Sequence, residues 1–149
     1  MATKQQIEQF LSSGPIAMAG VSRNPKKFGR AAYEELTRKG LNILPINPNI
    51  ESINGNVCYA EINDLPGEVN SLLIMTRKDQ TAKVVSDALT KGIKNIWIQQ
   101  SSDTPEALAL LKDKDVNLVS KQCILMHYHP DSFHKFHRNL KRFFGGLPK

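Results

Sequence analysis

Five short apolar runs alternate with segments of helical periodicity along this chain of 149 residues. The runs cover residues 16–19, 41–46, 71–75, 95–99 and 116–119. Runs of this kind between breakers are typical of strands that are buried on both faces. Strands that alternate with helices are joined by right-handed crossovers, which produce a parallel sheet. We therefore predict an α/β fold: a Rossmann-like, doubly wound, five-stranded parallel sheet.

The rest of the chain is predicted to form a single domain around that sheet. A short amphipathic helix is expected at residues 3–12, where apolar residues recur at helical spacing. We expect residues 53–59 to be irregular, with a turn at the Asn-Gly pair. The core should span about residues 13–125, and a basic C-terminal helix should form the tail over residues 126–149.

The loop after the first apolar run combines glycine, a hydroxyl group and cations. It contains Gly20, Ser22, Arg23, Lys26 and Lys27, and a helical pattern follows it directly. A loop of this kind directs backbone amides and a helix N-terminus at one point, which favours a bound anion. The segment therefore predicts a phosphate-binding loop.

Other loops should converge on the same place. In open parallel sheets, ligands bind beyond the carboxyl ends of the strands, at the point where the strand order reverses. That rule brings together residues 20–29, 47–49, 76–78 and 99–102. The first three of these loops contain no carboxylate. The sequence thus predicts a polar, cationic site for an anionic ligand, without a paired acid and base.

A nicotinamide dinucleotide is the usual ligand of such an edge, but two features disagree with it. The first loop has eight residues between its glycines rather than the G-x-G-x-x-G spacing. The second strand ends at Asn47 and Pro48, where a dinucleotide-binding protein offers a carboxylate to the ribose or an Arg to a 2′-phosphate. An NAD(P)-binding regulatory protein is therefore kept only as an alternative.

Three stretches together resemble a known family. They are G-V-S-R-N-P-K-K-F-G at 20–29, I-N-P at 46–48 and W-I-Q at 97–99. The chain resembles the small stand-alone CoA-binding proteins, which are relatives of the CoA-binding domain in succinyl-CoA synthetase alpha chains and ADP-forming acyl-CoA synthetases. The resemblance runs from about residue 15 to residue 123 and implies that coenzyme A or an acyl-CoA lies across the carboxyl edge of the sheet.

The resemblance also implies a role for each matching position. The phosphates of CoA would be held by Gly20, Val21, Ser22, Arg23, Lys26 and Gly29. The groove would continue along Asn47 and Pro48, with Met75, Thr76 and Arg77 at the adenine or ribose side and Gln99 at the pantetheine side.

Catalysis is not expected from the same resemblance. The synthetases act through a phosphorylated histidine in a further domain, and the resemblance does not reach such a domain. No Ser-His-Asp or paired-carboxylate pattern takes its place. We therefore expect a carrier, sensor or regulatory module rather than an enzyme. Cys123 is the one candidate reactive group, and a mixed disulfide with the CoA thiol is the hypothesis attached to it.

Composition points to the cytoplasm. Two cysteines far apart do not make a disulfide framework, which is typical of a reducing compartment. No apolar run approaches the roughly 20 residues of a membrane span, and residues 1–10 do not form a signal peptide.

The predicted tail offers two further alternatives. His134 and His137 lie three residues apart and could share a metal ion, although surface histidines often have this spacing. Cations interleave with aromatic residues over 135–143, which would suit nucleic acid with a steep salt dependence. The apolar stripe of the same tail leaves a homodimer open.

Overall fold

The computed structural model of this chain describes residues 2–128. The helices are α1 (Lys4–Leu11), α2 (Phe28–Arg38), α3 (Lys78–Lys91) and α4 (Pro105–Leu111). The strands are β1 (Ile16–Ala19), β2 (Ile43–Ile46), β3 (Ser52–Ile53), β4 (Asn56–Val57), β5 (Ser71–Ile74), β6 (Asn95–Gln99) and β7 (Asn117–Gln122). Two 3-10 turns complete the described chain, Ile62–Asp64 and Ile124–Met126.

Five of the strands form one parallel sheet in the order β2-β1-β5-β6-β7. The chain passes from β1 to β2 at one edge and then returns to β5 on the opposite side of β1. The two connections therefore diverge between β1 and β5, which is the switch point of a doubly wound sheet. The prediction of a Rossmann-like five-stranded parallel sheet is confirmed.

Helices cover both faces of this sheet. On one face Phe10 of α1 and Leu36 of α2 belong to the same apolar cluster as Trp97 of β6. On the other face Val85 of α3 and Ala107 of α4 pack with the remaining strand residues. The rings of Phe10 and Trp97 meet edge to face, with their centroids 5.4 Å apart. Because both faces are covered, every residue of β1, β5 and β6 is buried, and the strands read as continuous apolar runs.

Local signals account for several of the helix ends. Thr3 and Gln6 form a reciprocal capping box at the start of α1. The Thr104 hydroxyl accepts a hydrogen bond from an amide of α4, which begins with Pro105. Gly92 ends α3 in the left-handed conformation, with φ 90°.

Residues 52–57 differ from the expectation of an irregular segment. They form an antiparallel hairpin of β3 and β4, turned by Asn54 at φ 52° and Gly55 at φ 82°. Two successive positive φ angles are those of a type I′ turn, which Asn-Gly adopts readily. The prediction recognised the turn and missed the hairpin, because strands of two residues are too short to show a period. The last strand also extends to Gln122, beyond the predicted end at residue 119.

Most of the predicted basic tail lies outside the described residues. Of residues 126–149, only 126–128 are described: Met126 ends the second 3-10 turn, and residues 127 and 128 follow it without forming a helix. The tail histidines and the interleaved cations therefore stay predictions. Within residues 2–128, no helix is both long and apolar enough to cross a bilayer.

Candidate functional site

A cavity of about 630 Å³ opens at the carboxyl edge of the sheet, around the switch point. Its walls come from the loops after β1, β2, β5 and β6 and from the first turns of α2 and α3. The residues that line it are Gly20, Val21, Ser22, Lys27, Phe28, Gly29, Asn47, Met75, Thr76, Arg77, Gln80, Ser101 and Ser102.

The cleft brings together most of the residues that the sequence nominated. The predicted residues that line it are Gly20, Val21, Ser22, Gly29, Asn47, Met75, Thr76 and Arg77. Four others do not line it: Arg23, Lys26, Pro48 and Gln99. Four further lining residues, Lys27, Phe28, Ser101 and Ser102, lie in the predicted loops but were not nominated as contacts. Gln80 also lines the cleft, but it lies outside those loops and was not nominated.

Two glycines allow α2 to approach the end of β1 closely. Gly20 has φ 96°, and a Cβ on it would overlap the backbone carbonyl of Met75. A Cβ on Gly29 would overlap the carbonyl oxygen of Gly20. Both positions therefore need glycine for backbone packing, whether or not a ligand is bound. That packing places the N-terminus of α2 directly against the cleft.

The loop between these glycines is shaped by its own side chains. The Ser22 hydroxyl accepts a hydrogen bond from the Asn24 amide at 3.0 Å, and the Asn24 side chain accepts one from the Lys26 amide at 3.0 Å. The Arg23 carbonyl accepts from Arg30 of α2 at 3.2 Å. These bonds leave the side chains of Arg23 and Lys26 exposed and away from the cleft lining.

Asn47 connects the second wall of the cleft to the first. Its Nδ2 donates to the carbonyl of Val21 at 2.8 Å, and its Oδ1 accepts from the amide of Asn49 at 2.8 Å. Both ends of the carboxamide are thus used within the protein. Pro48, between Asn47 and Asn49 in the chain, is exposed. Asn47 therefore lines the cleft mainly as a brace between the β1 and β2 loops.

The electrostatics of the cleft favour an anion. The N-cap residues of α2 and α3 are Lys27 and Arg77, and neither makes a side-chain capping bond. The N-terminal ends of α2 and α3, each with a cation at its N-cap, therefore line one cavity whose lining contains no carboxylate. Asp79 lies 3.4 Å from Arg77, but both side chains are largely exposed, so this pair offsets little of the positive potential.

Gln99 lies beneath the cleft rather than in it. Because Ile74 of β5 pairs with Ile98 of β6, Gln99 comes next to Met75, which does line the cleft. Gln99 is fully buried, and its Oε1 accepts a hydrogen bond from the amide of Ile124 at 3.1 Å. Within the described chain its Nε2 has no hydrogen-bond partner. The predicted contact with pantetheine stays a prediction, since Gln99 is not among the residues that line the cleft.

Cys123 is also placed away from the cleft lining. The thiol is buried, and burial raises its pKa, an effect only partly opposed by the Gln99 amide and by the backbone of Leu125 and Met126. A thiol in this state is protonated at neutral pH and a weak nucleophile. The geometry therefore does not favour the mixed-disulfide hypothesis.

Metal ligands do not gather elsewhere in this part of the chain. Residues 2–128 contain no group of three or more His, Cys, Asp or Glu side chains that could hold an ion. His127 packs against Trp97, and burial lowers its pKa. His134 and His137, which carry the metal alternative, lie outside the described residues.

Comparison with known proteins identifies the family. The family model described as "CoA binding domain" matches residues 15–129, most of the chain. The chain belongs to the CoA-binding domain family. The predicted resemblance is therefore confirmed, over slightly more of the chain than the motifs indicated.

One relative is about as long as this chain, and another is much longer. The chain is 25% identical over 123 residues to the uncharacterized protein YneT of Bacillus subtilis, covering 82% of this chain and 91% of that protein. It is 28% identical over 93 residues to the acetate–CoA ligase [ADP-forming] II subunit alpha of Pyrococcus furiosus, covering 62% of this chain. The match spans only 20% of that ligase subunit.

Solved structures that superpose on this chain likewise include a protein of similar length and a much longer synthetase. A conserved hypothetical protein from Pyrococcus furiosus superposes with a TM-score of 0.73 at 30% identity, covering 76% of this chain and 98% of that one. A dinucleotide-forming acetyl-coenzyme A synthetase 1 of Ca. Korarchaeum cryptofilum, in complex with phosphate and ADP, has a TM-score of 0.66 at 23% identity. That match covers 75% of this chain and 26% of the synthetase, and it shows the fold alone.

Proposed function

We propose that this protein binds coenzyme A or an acyl-CoA in the cleft at the carboxyl edge of the sheet. One observation carries the proposal: two uncapped helix N-termini, with Lys27 and Arg77, face a cavity whose lining has no carboxylate. CoA carries about four negative charges, and phosphate oxygens accept strong bonds from amides and cations. A cavity of about 630 Å³ is in the usual size range of small-molecule sites.

The loop after β1 would receive the phosphates. Gly20 and Gly29 bring the first turn of α2 against it, and Val21 and Ser22 add backbone amides to the lining. The Ser22 hydroxyl accepts from Asn24, so its proton is available to a phosphate oxygen. Arg23 and Lys26 stay predicted contacts, but neither lines the cleft, so we expect each of them to contribute less to CoA binding than Lys27 does.

The proposed role is a non-catalytic one: carrier, sensor or regulatory module. The lining contains hydroxyl groups and a lysine but no Asp, Glu, His or Cys, so no general base is present to activate a hydroxyl as a nucleophile. The absence of a carboxylate from this lining also disfavours NAD, whose ribose hydroxyls need such a partner.

The test is calorimetric titration of the full chain with CoA and acetyl-CoA, with NAD and NADP as controls. The matched variants are Lys27→Gln, which removes a cation from the lining, and Lys26→Gln, which removes the neighbouring cation outside the lining. A pair of opposite charges about 4 Å apart contributes about 1 kcal/mol at the dielectric constant of water, so Lys27→Gln should weaken CoA binding about fivefold. Lys26→Gln should stay within about twofold of wild type.

Two results would contradict the proposal. One is the absence of CoA binding by the wild-type chain, and the other is NAD or NADP binding as tight as that of CoA. Equal losses in the two lysine variants would place the phosphates outside the cleft.

A further inference from the structure

Three hydroxyl groups form a connected cluster at one wall of the cleft, and the proposed function does not use it. They belong to Thr76, which follows β5, to Thr81 of α3 and to Ser102, which follows β6. Thr81 is fully buried, whereas Thr76 and Ser102 line the cleft with 9% and 2% of their surfaces exposed. The cluster therefore joins two of the loops that form the site.

The distances determine the direction of every hydroxyl proton. The Thr81 oxygen lies 2.7 Å from the carbonyl oxygen of Ser102 and 3.2 Å from that of Arg77. Both carbonyls can only accept, so Thr81 donates its proton to them, at the shorter distance to Ser102. The Thr81 oxygen also lies 2.8 Å from the hydroxyl oxygen of Thr76. Since Thr81 has only one proton, Thr76 must be the donor of that bond. The Ser102 hydroxyl donates to the carbonyl of Thr76 at 2.7 Å.

All three protons are therefore used within the cluster. Any part of the Thr76 hydroxyl that meets a ligand offers lone pairs only, and the same holds for Ser102. Ser22 on the β1 loop is the opposite case, because it accepts from Asn24 and keeps its own proton. The cleft thus has a hydroxyl that can donate after β1 and a hydroxyl that can only accept after β5.

We propose that Thr76 is a specificity-determining residue, which accepts a hydrogen bond from a neutral donor group of the ligand and repels phosphate. This rests on the proposed function. In CoA such donors are the adenine amino group and the ribose hydroxyl of the nucleotide half, and the amides and hydroxyl of the pantetheine arm. Phosphate oxygens can only accept, so they bind at the β1 loop, and the two hydroxyls orient the ligand in the cleft.

The experiment compares wild type with Thr76→Val, which keeps the shape of the side chain and removes the hydroxyl. The probes are CoA, adenosine 3′,5′-bisphosphate and the 2′-deoxy and hypoxanthine counterparts of that bisphosphate. Loss of one neutral hydrogen bond should weaken binding about 2- to 12-fold. If the donor is in the nucleotide half, the variant weakens every probe except the counterpart that lacks the donor. If it is in the pantetheine arm, only CoA binds more weakly.

Two other sets of binding results would overturn the inference about Thr76. A variant that binds all probes as wild type does shows that Thr76 accepts nothing from the ligand. A variant that weakens all probes equally, including both counterparts, shows a structural role only. In these cases wild type still binds CoA, so the proposed function stands. A wild-type chain that binds none of the probes overturns both.

Discussion

Replacing Gly29 with alanine should destabilise the protein, although the same substitution usually stabilises a helix. Alanine is about 1 kcal/mol more favourable than glycine within a helix, so α2 by itself would gain stability. However, the new Cβ would overlap the carbonyl oxygen of Gly20, which is backbone at the end of β1 and cannot rotate away. Overpacking of a buried site costs about 1–3 kcal/mol, and a backbone neighbour places this site at the upper end. The net loss should be about 1–2 kcal/mol.

Gly67 supplies the matched control. A Cβ there would meet nothing within 4 Å, so Gly67→Ala should be neutral or stabilising by less than about 1 kcal/mol. Urea unfolding gives the free energies, and Gly29→Ala should also lower the melting temperature by roughly 2–8 °C. The variant should bind CoA more weakly as well, because α2 must move away from the cleft. A Gly29→Ala protein as stable as Gly67→Ala would refute the close-packing account.

Two further predictions concern buried groups. Thr81→Val should lower the free energy of unfolding by about 1–3 kcal/mol, because the Ser102 carbonyl loses its donor and the Thr76 hydroxyl loses its acceptor. Thr81→Ser keeps both hydrogen bonds and should be the more stable of the two variants. Packing alone predicts the opposite order, so urea unfolding of the pair decides between the two accounts. Burial raises the pKa of the Cys123 thiol above its ordinary 9.0, so the thiol loses its proton at lower pH in the unfolded chain than in the folded one. The stability that the thiol contributes should therefore be complete below pH 9 and should decline as the pH rises towards the pKa of the folded state. Unfolding measured against pH should show a smaller alkaline decline for Cys123→Ala, and an equal decline in both proteins would contradict this.

The fold was predictable because its signals are local. Strands buried on both faces appear as apolar runs, and amphipathic helices appear as a period of three to four residues, without knowledge of any distant contact. The hairpin at residues 52–57 was missed because each of its strands has only two residues. The Asn54-Gly55 turn brings the two strands together, and a period cannot be read from so short a strand.

The candidate site was predictable as a set of loops and less so as a set of side chains. Lys26 and Lys27 are adjacent and chemically alike, but only Lys27, the N-cap residue of α2, lines the cleft. Gln99 ends a strand as predicted, yet it is buried beside Met75 and does not line the cleft. Nothing in the local sequence marks Gln80, which reaches the cleft through the position of α3.

By itself, the sequence determined the parallel sheet, the anion-binding loop after β1 and the family resemblance, since each depends on residues that are close together in the chain. Only the tertiary structure decided which cations face the cleft and which glycines are required by backbone contact. It also decided the hydrogen-bonding polarity of Thr76, because that depends on Thr81 and Ser102, which belong to different elements. A hydroxyl can donate or accept, and its neighbours in space determine which it does.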